Sequence, residues 1–179
     1  NRGGKTLPAA VEVARAVTGC DPYGKFRPAN GRLYAVGKNL DHVGEVMWRK
    51  LGRSGAFRII RDPKTKQWRA FRPWNDWDQA YKEKSKEAPP LIPPRMISKV
   101  AWENKSKGIP KLVVLNNGWE IGFYSSEGHI PQGSDLDGWW FDEELVNEAW
   151  YPEMRARILD RGGLGWWSAT PQAGTDVLF

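Results

Sequence analysis

The first fifty residues carry apolar segments of two different periods. Over residues 7–17, apolar side chains recur at helical spacing among several alanines, and Gly19 supplies a stop, so this pattern predicts a helix. Residues 33–37 are a short apolar run of the kind that forms a buried strand. Asp41 is then predicted to be the N-cap of a second helix that ends near Leu51.

The middle of the chain is more polar and is interrupted by prolines. Residues 57–74 predict two strands around an Asp-Pro-Lys-Thr-Lys turn. Residues 75–87 are charged and predict a loop with a short helix. The stretch 88–94 (APPLIPP) predicts an extended connector, because proline is excluded from helix interiors. Residues 95–104 are predicted to form a helix.

The last third of the chain returns to apolar runs. Strands are predicted at residues 111–115, 119–124, 138–141 and 165–169. The first two flank Asn-Asn-Gly and therefore predict a β-hairpin. Residues 144–161 carry helical spacing, which Gly162 and Gly163 end. Apolar strands that alternate with helices indicate an α/β fold, with a mainly parallel sheet flanked by helices and a β-hairpin insertion, in a single domain over residues 1–179.

Composition supports a packed protein with an uneven charge. The 179 residues are 40% apolar and include 11 Trp, which favours a globular core over disorder. No segment approaches the ~18 consecutive apolar residues of a membrane span, so no membrane association is predicted. Residues 1–110 hold 23 Lys or Arg against 10 Asp or Glu, whereas residues 111–179 hold 4 against 11. The basic part suits a polyanion such as DNA, and ordinary solvated surface charge explains it equally well.

The chain opens on a segment suited to phosphate binding. Gly4-Lys5-Thr6 match the end of the phosphate-binding loop G-x-x-x-x-G-K-[ST], in which the Lys reaches the β/γ-phosphates and the hydroxyl binds Mg²⁺. The predicted helix that follows would place its free N–H groups and its dipole at the same point. A glycine turn before an ordinary helix is the alternative. The first Gly of the motif would lie two residues before Asn1, so we expect a fragment cut inside this loop.

Polar residues also follow two predicted strands. Asp142 and Glu143 end the run Trp-Trp-Phe-Asp-Glu, and carboxylates at the carboxyl end of a strand lie where α/β sheets bind ligands. Ser168-Ala169-Thr170 follow the next apolar run, where small hydroxyl side chains could sense a γ-phosphate. An acidic first turn of the next helix, and a plain strand-to-loop turn, are the respective alternatives. The occurrence of all three segments in the order of a P-loop motor favours nucleotide chemistry.

Longer segments resemble phage terminase large subunits, the ATPases that package viral DNA. The resemblance lies in residues 132–144 (QGSDLDGWWFDEE), 151–163 (YPEMRARILDRGG) and 168–174 (SATPQAG). Residues 1–6 (NRGGKT) are similar to the Walker A loop of that family, in which an Arg often occupies a variable position. The resemblance implies a P-loop NTPase fold of the ASCE type, with ATP and Mg²⁺ as cofactors.

The resemblance also implies roles for individual residues. ATP would be bound by Asn1, Arg2, Gly3, Gly4, Lys5 and Thr6. Arg2 and Lys5 would act at the phosphates, Thr6 and Asp142 at Mg²⁺, and Glu143 as the catalytic carboxylate. Ser168, Ala169 and Thr170 would form the coupling motif.

At the level of the assembly, the resemblance implies a homo-oligomeric ring that moves double-stranded DNA into a procapsid. Its partners would be the portal protein and the small terminase subunit, in the host cytoplasm and docked on the procapsid. The upstream P-loop strand and the C-terminal nuclease domain of the family would lie outside this chain. A superfamily 2 helicase or translocase fragment, and a non-catalytic nucleic-acid-binding module with a P-loop fold, are the alternatives.

Other residues have less specific interpretations. His42 and His129 are expected to be structural or exposed, and the Trp pairs at 139–140 and 166–167 are expected in the core. Candidates for an arginine finger that reaches a neighbouring subunit are Arg61, Arg69, Arg72 and Arg95.

Overall fold

A computed structural model describes residues 4–133 and 135–169. The helices are α1 (Thr6–Thr18), α2 (Leu40–His42), α3 (Arg49–Gly52), α4 (Asp76–Ala80) and α5 (Trp150–Leu159). A π-helical segment, Val43–Trp48, joins α2 to α3, and short 3₁₀ turns lie at Lys82–Lys84 and Pro94–Met96. The strands are β1 (Arg32–Gly37), β2 (Arg58–Arg61), β3 (Trp68–Ala70), β4 (Lys86–Glu87), β5 (Ile97–Asn104), β6 (Ile109–Leu115), β7 (Glu120–Ser125), β8 (Gly138–Asp142) and β9 (Leu164–Ser168).

Two sheets organise the described residues. The larger has the strand order β5-β6-β7-β1-β8-β9. Its neighbours β7, β1, β8 and β9 are mutually parallel, and β5 and β6 continue it as antiparallel strands. The smaller sheet, β3-β2-β4, is antiparallel and inserts between α3 and β5. The predicted α/β fold with a mostly parallel sheet flanked by helices is confirmed.

The central strands are apolar because both faces of the large sheet are covered. Alternate residues of β1 enter two cores: Leu33 and Ala35 join the one with α1, and Tyr34 and Val36 join the one with α5. Strand β8 divides in the same way, with Trp140 on the α1 side and its neighbours on the α5 side. Continuous apolar runs are expected of parallel strands buried on both faces.

Most of the predicted elements are found close to their predicted positions. Helix α1 ends at Gly19, whose φ of 69° is the left-handed conformation that glycine supplies at a helix end. The turn over residues 116–118 joins β6 and β7 as an antiparallel hairpin. Two strands also flank the Asp-Pro-Lys-Thr-Lys turn, as the antiparallel pair β2 and β3. These elements form where local pattern and tertiary packing agree.

The helix predicted at 95–104 is wrong, because this segment contains the strand β5. Its apolar residues Ile97, Val100 and Ala101 have the 3-and-4 spacing of a helix face. The segment instead pairs antiparallel with β6, with irregular register that lets the apolar spacing depart from a strict alternation. An edge position beside an apolar strand therefore overrides the local pattern.

Two helix starts also differ from the prediction. The N-cap before α2 is Asn39 rather than Asp41, and its side-chain oxygen accepts the backbone N–H of His42 at 2.8 Å. Residues 144–149 are not helical, and α5 begins only at Trp150. The backbone N–H groups of Val146 and Asn147 are bound by Ser126, from the loop after β7, instead of by carbonyls of a helical turn.

Candidate functional site

The predicted site residues come together at one edge of the large sheet. Parallel strands β1, β8 and β9 end there with Gly37, Asp142 and Ser168 as direct neighbours across the ladder. The first turn of α1 reaches the same edge with Thr6. Ligands of open α/β sheets bind beyond the carboxyl ends of the strands, so this is the candidate functional site.

Asp142 is the centre of the site. Its side chain is fully buried and accepts hydrogen bonds at both carboxylate oxygens. Oδ2 lies 3.3 Å from the Thr6 hydroxyl that donates to it, and 2.7 Å from Nε2 of His42. Oδ1 accepts a hydrogen bond from the Ser168 hydroxyl. A buried carboxylate needs such partners, because leaving it unpaired costs several kcal/mol.

Ser168 is held in turn by Trp140. The buried indole Nε1 of Trp140 donates to the Ser168 hydroxyl oxygen at 2.8 Å, which leaves the hydroxyl proton directed toward Asp142. The indole, hydroxyl and carboxylate thus form one continuous chain of hydrogen bonds between two adjacent strands. Such a chain fixes the rotamer of the carboxylate.

The N-terminus of α1 supplies the positive part of the site. Gly4 precedes the helix with a φ of 64°, and the first turn carries no acidic side chain. The ammonium of Lys5 donates to the carbonyl of Ala169, directly after β9, at 3.0 Å. A 13-residue helix whose N-terminus and adjacent lysine lie at this edge is suited to an anion.

Glu143 has a backbone conformation that is rare for its residue type. Its φ is 68°, a left-handed value that disfavours side chains with a Cβ. Two contacts hold it: the Glu143 N–H donates to the carbonyl of Ser168 at 3.1 Å, and its carbonyl accepts from Nε1 of Trp167 at 2.9 Å. The chain therefore turns sharply after Asp142.

Glu144 does not have the structural position predicted for it. It lies in the loop after β8, six residues before α5 begins at Trp150. The helix predicted at residues 144–161 would have placed Glu144 in its first turn, and that placement is wrong. The favourable interaction with a helix dipole falls off within the first turn.

His42 belongs to the site and Lys50 lies within range of its charge, and neither was predicted from the sequence. His42, expected to be structural or exposed, contacts the Asp142 carboxylate with a side chain that is 18% exposed. Burial lowers the pKa of the Lys50 ammonium, and the Asp142 carboxylate opposes that shift. The sequence gives one indication for both residues, which is that they follow β1 along the chain. Strand β1 ends beside the end of β8, which carries Asp142.

The remaining candidates divide into three groups. Asn1, Arg2, Gly3 and Thr170 lie outside the described residues. Trp139 and Trp140 are buried and the pair 166–167 is partly buried, so they are core residues as expected, and His129 is exposed. Among the arginine-finger candidates, Arg69 is held by Asp78 and Asp62 at 2.6 and 3.0 Å.

Comparison of the chain with protein-family models, with curated proteins and with solved structures finds no match. Among the helices of the described ranges, none is long and apolar enough to cross a membrane.

Proposed function

We propose that this chain is the ATP-hydrolysing motor domain of a viral terminase large subunit, with a P-loop NTPase fold of the ASCE type. The observation that carries the proposal is the contact between the Thr6 hydroxyl and the Asp142 carboxylate, at 3.3 Å across 136 residues of sequence. In P-loop NTPases, Mg²⁺ is held by the hydroxyl of the phosphate loop and by an Asp that ends a neighbouring strand. The sequence motifs and this contact independently point to the same pair.

The residues present fit a magnesium ion. Thr6 and Asp142 offer oxygen donors, and Mg²⁺ is commonly held by one or two protein oxygens while phosphates and waters complete its shell. Held by Thr6 and Asp142, the ion would neutralise the charge that develops on the phosphates during transfer. His42 and Ser168 already hold the carboxylate, so Asp142 is positioned before any ligand arrives.

The other groups take the remaining tasks of phosphoryl transfer. Lys5 binds the β/γ-phosphates together with the backbone N–H groups of the loop formed by Asn1, Arg2, Gly3 and Gly4, and Arg2 contacts the γ-phosphate. Glu143 orients the attacking water and accepts its proton. Ser168, Ala169 and Thr170 transmit the loss of the γ-phosphate, a role supported by the contacts of Ser168 with Asp142 and of Ala169 with Lys5.

The proposed reaction drives the movement of double-stranded DNA into a procapsid. The working form is a homo-oligomeric ring docked on the portal protein in the host cytoplasm, with the small terminase subunit as a further partner. The excess of Lys and Arg in residues 1–110, 23 against 10 Asp and Glu, supports a DNA partner.

A pair of hydroxyl variants on the same helix tests the proposal. In the full-length protein, Thr6→Val should lower ATP turnover by ~100-fold or more, because a metal ligand is lost. For the same reason it should raise the Mg²⁺ concentration needed for half-maximal rate. Thr18→Val removes a hydroxyl that, within the described part of the chain, bonds the Ala14 carbonyl at the far end of α1, so its turnover should stay near wild type. Absent turnover in the wild type, or equal turnover in both variants, would contradict the proposal and favour a non-catalytic binding module.

A further inference from the structure

The small sheet has one face that packs on the protein and one that does not. Side chains directly opposite in antiparallel strands share a face, and residues two apart along a strand share it too. The pairs Arg61↔Trp68, Ile59↔Ala70 and Ile59↔Lys86 therefore place these five residues together, on a surface we call the open face.

The opposite face is occupied by the protein itself. Ile60 is buried, and Arg58 donates to the Ser85 hydroxyl at 2.8 Å and to its carbonyl at 2.7 Å. Arg69 forms a two-pronged ion pair with the buried Asp78, at 2.7 and 2.6 Å. This packing fixes the orientation of the sheet and leaves the open face directed outward.

The open face combines cations with an exposed aromatic ring. Trp68 is 50% exposed, and the ammonium of Lys86 lies 3.9 Å from the centre of its ring, across the intervening strand β2. Nε of Arg61 donates to the carbonyl of Lys66 at 2.8 Å, which holds the guanidinium against the hairpin turn. Within the described residues, its two terminal nitrogens form no hydrogen bond, so they can form the bidentate contact that phosphate favours.

The nearby acids do not neutralise this surface. Asp62, in the turn, accepts from the backbone N–H groups of Lys64 and Thr65 and from Nε of Arg69. Its carboxylate is thus committed to the turn and to the opposite face, while exposed Lys64 and Lys66 extend the positive charge beyond the end of the sheet. The open face itself contains two cations and no carboxylate.

This arrangement favours duplex DNA over other anions. Arg61 is paired with Trp68 across the ladder and the ammonium of Lys86 lies over the Trp68 ring, so the two cations are presented on the same face to a polyanion. Because Lys86 covers one side of the Trp68 ring, the ring is better suited to holding the lysine in place than to stacking an unpaired base. A positioned cation loses less conformational entropy when it meets a phosphate.

We infer that the open face, with Lys64 and Lys66 beside it, is a surface that contacts the phosphate backbone of duplex DNA. The inference rests on the proposed function for its choice of DNA as the partner. It adds the location of the contact, which neither the motifs nor the candidate functional site specifies.

The test measures duplex affinity without nucleotide, so that it is independent of ATP turnover. Anisotropy of a labelled 30-base-pair duplex is followed against salt for wild type and for Arg61→Gln/Lys64→Gln/Lys86→Gln. Each lost phosphate contact removes about one unit from the slope of log K against log[salt]. The triple variant should therefore bind about tenfold to hundredfold more weakly at 0.1 M salt, with a slope lower by ~2–3.

A control of equal charge is available on the antiparallel edge of the large sheet. Lys99→Gln/Lys105→Gln/Lys111→Gln also removes three exposed cations, and its affinity should fall less than threefold. The single variants Arg61→Gln and Lys86→Gln guard against misfolding of the triple, and each should weaken binding about threefold to tenfold.

Several results would overturn the inference. Equal losses in the two triple variants would show general attraction to the whole basic surface. If Arg61→Gln/Lys64→Gln/Lys86→Gln bound the duplex as tightly as wild type, the open face would not be a DNA-binding surface, and another partner such as an acidic protein would be favoured. Tighter binding of a single strand than of the duplex would contradict the choice of duplex DNA.

A separate result bears on the proposed function. If the wild type shows no ATP turnover but its duplex binding depends on the open face, the proposed motor function fails and the inference about the open face stands.

Discussion

At the scale of single residues, the candidate site depends on how a buried carboxylate is satisfied. Among the described residues, Asp142 has three side-chain donors, from Thr6, His42 and Ser168, that come from three separate elements. Each donor offsets part of the cost of removing the charge from water. The same contacts that would position a metal ligand therefore also join α1, β9 and the helical stretch after β1.

Substitution of His42 tests this double role. His42→Ala removes the donor 2.7 Å from Asp142 and leaves Oδ2 with Thr6 as its remaining donor among the described residues. We expect a loss of ~1–3 kcal/mol in the free energy of unfolding, together with a higher Mg²⁺ requirement for turnover. The measurements are urea denaturation and Mg²⁺ titration of ATPase rate. The exposed His129→Ala is the control and should leave both unchanged.

If His42→Ala lowered stability but left the Mg²⁺ requirement at its wild-type value, His42 would be a packing residue and not a positioning residue. If neither quantity changed, the contact with Asp142 would be without consequence for the site.

The three successive acids at the end of β8, Asp142, Glu143 and Glu144, should differ sharply in their effects. Glu143→Gln keeps size and hydrogen bonding but removes the base, so ATP should still bind while hydrolysis falls by ~100-fold or more. Asp142→Asn should in addition raise the Mg²⁺ requirement. Glu144→Gln, in the loop before α5, should retain near-normal turnover and stability. Turnover and nucleotide affinity are measured side by side, and an inactive Glu144→Gln beside an active Glu143→Gln would place the catalytic carboxylate one residue later.

At the scale of elements, the small sheet depends on one arginine. Arg69 on β3 reaches back to Asp62 in the turn and forward to Asp78 on α4, so it ties a hairpin to a short helix. The hydrogen bond and the charge of Arg69 lower the pKa of Asp78. Backbone N–H groups of the turn and Arg69 lower the pKa of Asp62 from 3.8 to about 2.

These shifts predict how the small sheet responds to acid. A carboxyl whose pKa is lowered by folding stabilises the folded state fully above its unfolded pKa, and that stabilisation disappears as the pH falls through the folded value. The sheet should therefore keep its stability down to about pH 4 and lose it progressively toward pH 2. Hydrogen exchange of residues 58–70, measured between pH 7 and pH 2, reports this loss.

Two variants separate this ion pair from general surface charge. Asp78→Asn should increase exchange of the sheet at neutral pH and should flatten the acid response, since it removes a titrating partner of Arg69. Asp76→Asn, on the same helix but exposed, should do neither. If hydrogen exchange of residues 58–70 in Asp78→Asn rose with acid as much as in wild type, other carboxylates would be responsible for the loss of stability.

At the scale of the whole molecule, the sequence predicts the sheet better than it predicts the site. Strands β1, β8 and β9 were predictable because buried parallel strands are continuous apolar runs. Asp142 and Ser168 were predictable as site residues because they stand at the carboxyl ends of β8 and β9, where α/β sheets bind ligands. His42 was not, because its contact with Asp142 joins residues 100 apart and arises only when β1 and β8 are neighbours. Strand β5 was missed because its pairing with β6, and not its own spacing, determines its conformation.

The order of the elements along the chain has a consequence for synthesis on the ribosome. Thr6, His42 and Asp142 all precede β9, the last described strand of the large sheet, which carries Ser168. While β9 is still inside the ribosome, Ser168 is not in place. Asp142 then lacks the hydrogen bond from the Ser168 hydroxyl, and the Trp140 indole N–H lacks the Ser168 oxygen as its acceptor. Long-range contacts of this kind form late in folding. The hydrogen-bonded site therefore cannot be completed before β9 joins the sheet, and under the proposed function a ribosome-bound chain that lacks β9 should not bind nucleotide.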